Sequence, residues 1–142
     1  MSGDQSPDIL LAFDFGFRRI GVASGNLQTR TASPLTTLIV SGELPWAELD
    51  RAIDEWHPGQ LVVGLPSLEL AREVAERVQT FIVALRERYD LPVATVDESL
   101  TSRAARSELK EARRSGLLRT RVRKETIDSH AACLIAEQWM NG

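Results

Sequence analysis

Asp14 is the only charged residue in the run Ile9-Leu-Leu-Ala-Phe-Asp-Phe15. Such a short apolar run reads as a strand buried on both faces. An ionised carboxylate near its end is costly unless it is paired or holds a cation. Gly16 permits a tight turn, and Arg19–Gly25 reads as a second strand returning beside the first. The plainer role for Asp14 is to cap that turn. Two further places offer acids that could join it. Asp97 and Glu98 end an apolar run that opens at Pro92, and alternation along a strand sends them to opposite faces, so spacing alone does not choose between them. Asp128 stands in the first turn of the last amphipathic stretch. There it aligns with Ala131, Ala132, Ile135 and Trp139, so an acid begins a face that otherwise packs. Its plainer role is to complement the helix dipole.

Cations are as unevenly placed as the acids are. Residues 101–124 hold nine Arg and Lys against two Glu, a net charge of +7, while the rest of the chain is −10. A localised basic segment in an acidic protein points to an anion site, and a nucleic acid suits it. Arg103, Arg106, Lys110 and Arg113 recur at helical spacing and make one cationic stripe, Arg123 and Lys124 fall in a basic loop at 117–124, and Arg18 and Arg19 sit beside Asp14. A solvated helix face is the plainer reading of the stripe.

The elements that must position these residues follow from periodicity. Leu35–Val40 is a third strand. Pro45 opens a helix on which Trp46, Leu49, Ile53 and Trp56 share a face, and His57-Pro58-Gly59 ends it. The two tryptophans read as core anchors. Leu61–Leu65 is a fourth strand, Ser67 caps the helix after it, and Pro92–Val96 is the fifth. A helix runs from Thr101 or Ser102 to about Ser115, and the last from about Ile127 to Met140. The pattern is an α/β domain with a mixed sheet of about five strands. Residues 1–8 are expected to be a flexible leader and 9–142 one domain.

With 142 residues and 43% hydrophobic content, one domain can bury a proper core. One cysteine, Cys133, excludes an internal disulfide, and with two histidines leaves too few ligands for a conventional zinc site. There is no membrane-length apolar run and no pattern of a secretory signal, so a cytoplasmic protein is expected.

Four stretches, Asp14-Phe-Gly-Phe-Arg-Arg-Ile-Gly21, Val62-Val-Gly-Leu-Pro66, Val96-Asp-Glu-Ser-Leu-Thr-Ser102 and Ile127-Asp-Ser-His-Ala-Ala132, resemble in order and spacing the YqgF/RuvX family. Its members are described as pre-16S rRNA nucleases and as Holliday-junction-resolvase-like proteins. The resemblance spans nearly the whole chain from Ile9. It implies an RNase H-like fold with sheet order 3-2-1-4-5 flanked by helices, and acids at Asp14, Glu98 and Asp128, which chooses Glu98 over Asp97. Three converging carboxylates repel by about 4 kcal/mol per pair at roughly 4 Å and an effective dielectric of 20. An all-oxygen set therefore calls for one or two Mg²⁺ or Mn²⁺ ions. The implied activity is metal-dependent endonucleolytic hydrolysis of structured RNA, namely precursor 16S rRNA, alone or on the ribosome, by a monomer or weak homodimer. Arg18, Arg19, Arg103, Arg106, Arg123 and Lys124 would contact phosphates. The alternatives are a resolvase of four-way DNA junctions and a non-catalytic RNA- or ribosome-binding domain. Two departures from the family stand out. Pro66 passes through Ser67-Leu-Glu69 straight into a helix, where the family has a polar glycine-containing loop, and Arg18 replaces a common lysine.

Overall fold

In the computed structural model of the chain, residues 6–65, 72–97 and 124–141 are described. Strands β1 (Ser6–Phe15), β2 (Arg19–Asn26) and β3 (Thr31–Ile39) are followed by helix α1 (Trp46–Trp56). Strand β4 (Pro58–Leu65), helix α2 (Arg72–Tyr89), strand β5 (Val93–Asp97) and helix α3 (Lys124–Asn141) complete the described elements. The sheet order is β3-β2-β1-β4-β5, as the family resemblance implies. β1 runs antiparallel to β2 and parallel to β4, β3 is antiparallel to β2, and β5 is parallel to β4.

β1 is central because both its faces are apolar. Leu10, Leu11, Ala12 and Phe13 are all fully buried. Alternation divides them: Leu11, Phe13 and Phe15 join a core with α1 and α2, while Leu10 and Ala12 join another with α3. On the first face Leu49 of α1 and Val78, Phe81, Ile82 and Leu85 of α2 fill the layer. Trp46 and Trp56 pack there too, as anchors. On the second, Ala131, Ala132, Ile135 and Ala136 are buried. Small residues on α3 let it lie close across β1, β2 and β3.

Element boundaries differ from the sequence expectation in instructive ways. β1 begins at Ser6, where it pairs with Pro58, so three residues of the expected leader are strand. β3 begins at Thr31, four residues before the expected start. Its polar first half, with Pro34, hides the strand from a hydrophobicity reading, and its pairing to β2 reveals it. As an edge strand β3 tolerates the proline. The β2–β3 turn is fixed by Asn26, whose side-chain oxygen accepts from the Gln28 and Thr29 amides at 2.9 and 3.3 Å. Lys124, expected in a loop, is the first residue of α3. The expected basic helix from 101 to 115 and the segment after Pro66 lie outside the described residues.

Two contacts make quantitative predictions. A Cβ on Gly25 would meet Leu10 Cγ at 2.9 Å and Cδ1 at 3.0 Å, and Leu10 is fully buried. Gly25→Ala should therefore destabilise by about 1–3 kcal/mol through overpacking. A urea midpoint equal to that of the wild type would show that Leu10 has a second rotamer to move into.

Asp50 on α1 accepts a forked pair from Arg88 of α2, at 2.8 and 2.7 Å, and the Tyr89 hydroxyl at 2.6 Å. Hydrogen bonds from Arg88 first, then Tyr89, lower the Asp50 carboxyl to about 2. Burial, then the bond to Asp50, pushes the Tyr89 phenol up. Because the folded value lies below the ordinary 3.8, the stabilisation from Asp50 is complete above 3.8 and disappears as pH falls through about 2. Asp50→Asn should melt lower than wild type at neutral pH, and the difference should close across that acid window. A pH-independent difference would place the effect in packing rather than charge.

Candidate functional site

The register sets Asp14 beside glycine on both sides. It pairs with Gly21 on β2 and Gly64 on β4, and the same row continues to Thr37 on β3 and Val96 on β5. Directly paired residues point to one face, so these five share the face that α3 covers. Asp14 is half-buried, near the end of a strand whose preceding four residues are sealed. On neither neighbouring strand does a side chain flank it in its row.

The turn that follows carries the nearest cations. Gly16 is required in it, since a Cβ would come within 2.8 Å of the Arg19 carbonyl oxygen. Arg18 is exposed, and its carbonyl accepts the Val40 amide at 2.9 Å. Arg19 pairs with Ile39 two residues beyond the Gly21–Thr37 pair, and so lies on the face of Asp14, one step nearer the sheet rim. Asp14, Arg18 and Arg19 are thus gathered by one hairpin.

Of the two acids at the end of β5, Asp97 and Glu98, the described one is on the wrong side. Asp97 pairs with Leu65, whose side chain belongs to the α1–α2 layer, while Val96 belongs to the α3 layer. Asp97 is therefore on the face opposite Asp14. Glu98 lies outside the described residues. Position 128 is in α3, one turn ahead of the buried Ala131 and Ala132, so the helix carries it on the side that meets the sheet. The side chains of Asp128 and Lys124 lie outside the described set, as do Arg103, Arg106 and Arg123. His130 follows Asp128 by two positions, about 200° around the helix. Cys133 is buried with Ala23 and Ala132. His57 is exposed in a left-handed helix-ending conformation, its amide donating to Ile53 at 2.9 Å.

Among the described residues no three His, Cys, Asp or Glu side chains gather to hold an ion. The acids that the family resemblance implies, Asp14, Glu98 and Asp128, would offer carboxylate oxygens, and of these only the Asp14 side chain is among the described residues. That donor chemistry suits a hard ion and not zinc. Sequence reasoning overlooked Thr37, the half-buried neighbour of Gly21 in the Asp14 row. Strand register was the missing signal, since Thr37 is 23 positions from Asp14 in the chain.

The fold has solved counterparts. RuvC of T. thermophilus, in complex with a Holliday junction substrate, superposes with a TM-score of 0.60 at 16% identity, over 94% of this chain and 96% of that one. A Fowlpox virus resolvase bound to Holliday junction DNA gives 0.59 at 9% identity, over 94% and 97%. These establish the RuvC-like RNase H fold. In sequence the chain is 41% identical over 135 residues to a Legionella pneumophila protein named "Putative pre-16S rRNA nuclease", covering 93% of this chain and 94% of that protein. A Francisella philomiragia protein of the same name is 34% identical over 134 residues, covering 92% and 95%. The model of the RuvX family, described as Holliday junction resolvase, matches residues 8–142, and the chain belongs to that family.

Proposed function

We propose that this protein is a metal-dependent endonuclease acting on structured RNA, with precursor 16S rRNA as substrate. The observation that supports it most is Asp14 on the α3 face of the central strand, with glycine on both sides and α3 bringing position 128 to the same face. Relatives at 41% and 34% identity over nearly their full length carry the name of a pre-16S rRNA nuclease.

In this reading Asp14, Glu98 and Asp128 hold one or two Mg²⁺ or Mn²⁺ ions. When bound, such ions activate water and stabilise the leaving oxygen of an in-line displacement. Asp14 anchors the set because a central strand fixes its backbone. Glu98 is the acid after β5 that serves, since Asp97 is turned to the other face; two strand spacings, roughly 9–10 Å, separate β5 from β1, and the longer glutamate suits that reach. Arg19, on the face of Asp14, and Arg18, at the turn, receive the phosphates flanking the cut. Arg103, Arg106, Arg123 and Lys124 extend that contact along the strand. Among the described residues no helix is long and apolar enough to cross a membrane, and we place the protein in the cytoplasm, where its substrate is made.

Junction DNA is the second reading, favoured by the description of the matched family and by the substrates in the RuvC and Fowlpox virus structures. It requires a symmetric dimer presenting two sites, whereas RNA processing is open to a monomer or weak homodimer. Incubation of precursor rRNA and a four-way DNA junction with Mg²⁺, Mn²⁺ or EDTA decides between them. RNA cleavage that EDTA stops is the expected result. Cleavage that survives EDTA would sink the metal assignment, and paired cuts in junction DNA alone by a dimer would replace RNA with DNA. RNA binding without any cleavage would leave a non-catalytic binding domain.

A further inference from the structure

Phe17 stands in the β1–β2 turn, three residues after Asp14, and is 40% exposed. The guanidinium of Arg77 from α2 lies over the ring, 5.0 Å from its centroid. Among the described residues no carboxylate pairs with Arg77, so its charge is not neutralised there. Phe17 and Arg77 line a cavity of about 310 Å³, floored by Phe15, Val40 and Leu44, with Thr80 at its edge. That volume is at the lower end of ligand pockets, which run from roughly 300 to 1,000 Å³. An apolar lining, an exposed ring and a cation without a carboxylate partner among the described residues together form a place for something flat, apolar-faced and attached to negative charge. Arg18, the next residue in the turn, is exposed as well.

We propose that this cavity receives one unpaired base of the substrate RNA, stacked against Phe17, as the strand passes from the Asp14 face over the β1–β2 turn. The inference rests on the nuclease reading for the identity of the polyanion. It deepens that reading by making the site selective for cleavage next to a single-stranded nucleotide. Stacking on an aromatic ring tolerates any base, so the pocket selects for an unpaired nucleotide and not for sequence. Arg77 holds the ring by its cation–π contact and adds its charge to the passage of the backbone.

The test is binding of the full chain to a short single-stranded oligoribonucleotide carrying 2-aminopurine, in EDTA so that nothing is cut. A fully paired RNA duplex is the control. Phe17→Ala should weaken single-strand binding about 10- to 100-fold and leave duplex binding unchanged. Phe17→Leu, which keeps apolar bulk without a π face, should lose nearly as much, and Phe17→Trp should bind at least as well as wild type. Arg77→Gln should lower the salt dependence by about one phosphate contact. Wild-type affinity in Phe17→Leu would overturn base stacking in favour of an apolar protein partner. Equal losses on duplex and single strand, no loss in Phe17→Ala, or no RNA binding by wild type would overturn it as well. The nuclease reading fails separately. If this pattern holds but no RNA is cut with Mg²⁺ or Mn²⁺, the pocket stands without it; if cutting proceeds without the pattern, the pocket falls alone.

Discussion

Asp14→Asn should reduce RNA cleavage by roughly 10³-fold or more, since a metal site supplies several kcal/mol of transition-state stabilisation and each 1.36 kcal/mol is tenfold. Asparagine matches aspartate in shape, so the half-buried position between Gly21 and Gly64 is refilled without a cavity. RNA binding should survive, because Arg18 and Arg19 are untouched. Thermal melting separates loss of the cation from loss of the fold. If Asp14, Glu98 and Asp128 converge as proposed, the variant should melt no lower than wild type in EDTA, because asparagine then removes charge from a cluster of like charges. Adding Mn²⁺ should raise the wild-type melting temperature and leave the variant unmoved, since a ligand at 100 times its Kd contributes about 2.7 kcal/mol. Cleavage within tenfold of wild type would remove Asp14 from the site. A Mn²⁺ shift that persists in the variant would place the ion elsewhere.

How much of this was readable beforehand depends on how local each signal is. The apolar run around Asp14 marked a central strand because four consecutive sealed residues are a statement about both faces at once. The glycines at 21 and 64 were visible as letters, but their meaning as neighbours of Asp14 comes from strand register, a pairing between residues 50 positions apart for Gly64. Spacing left Asp97 and Glu98 open for the same reason. The pairing of Asp97 with Leu65 supplies the face that periodicity could not. β3 was read too short because its first residues are polar and exposed on an edge strand, held by hydrogen bonds to β2 and not by burial. Phe17 is visible in the sequence only as a large aromatic in a turn. Its significance appears only when α2, 60 residues later, lays Arg77 on it.

Phe81→Ala should destabilise the fold by about 3–5 kcal/mol. The ring is fully buried, edge-on to Phe13 at 5.8 Å and tilted against Phe15 at 5.2 Å and Trp46 at 6.4 Å. It thus joins α2 to β1 and α1, and its loss opens a void among rigid rings that cannot collapse easily. Against a total of about 5–15 kcal/mol for a typical domain, that is roughly a fifth of the stability or more. The urea midpoint should fall with the slope of the transition unchanged, and the melting temperature should drop on the order of 10 °C. The void lies on the α1–α2 face, opposite Asp14, so kcat measured well below the new melting point should fall far less than in Asp14→Asn. A midpoint within about 0.5 kcal/mol of wild type would mean that the aromatic cluster repacks around the gap. A collapse of kcat in a fully folded sample would mean that Phe15 passes strain along β1 to its neighbour Asp14, tying the two faces of the sheet together.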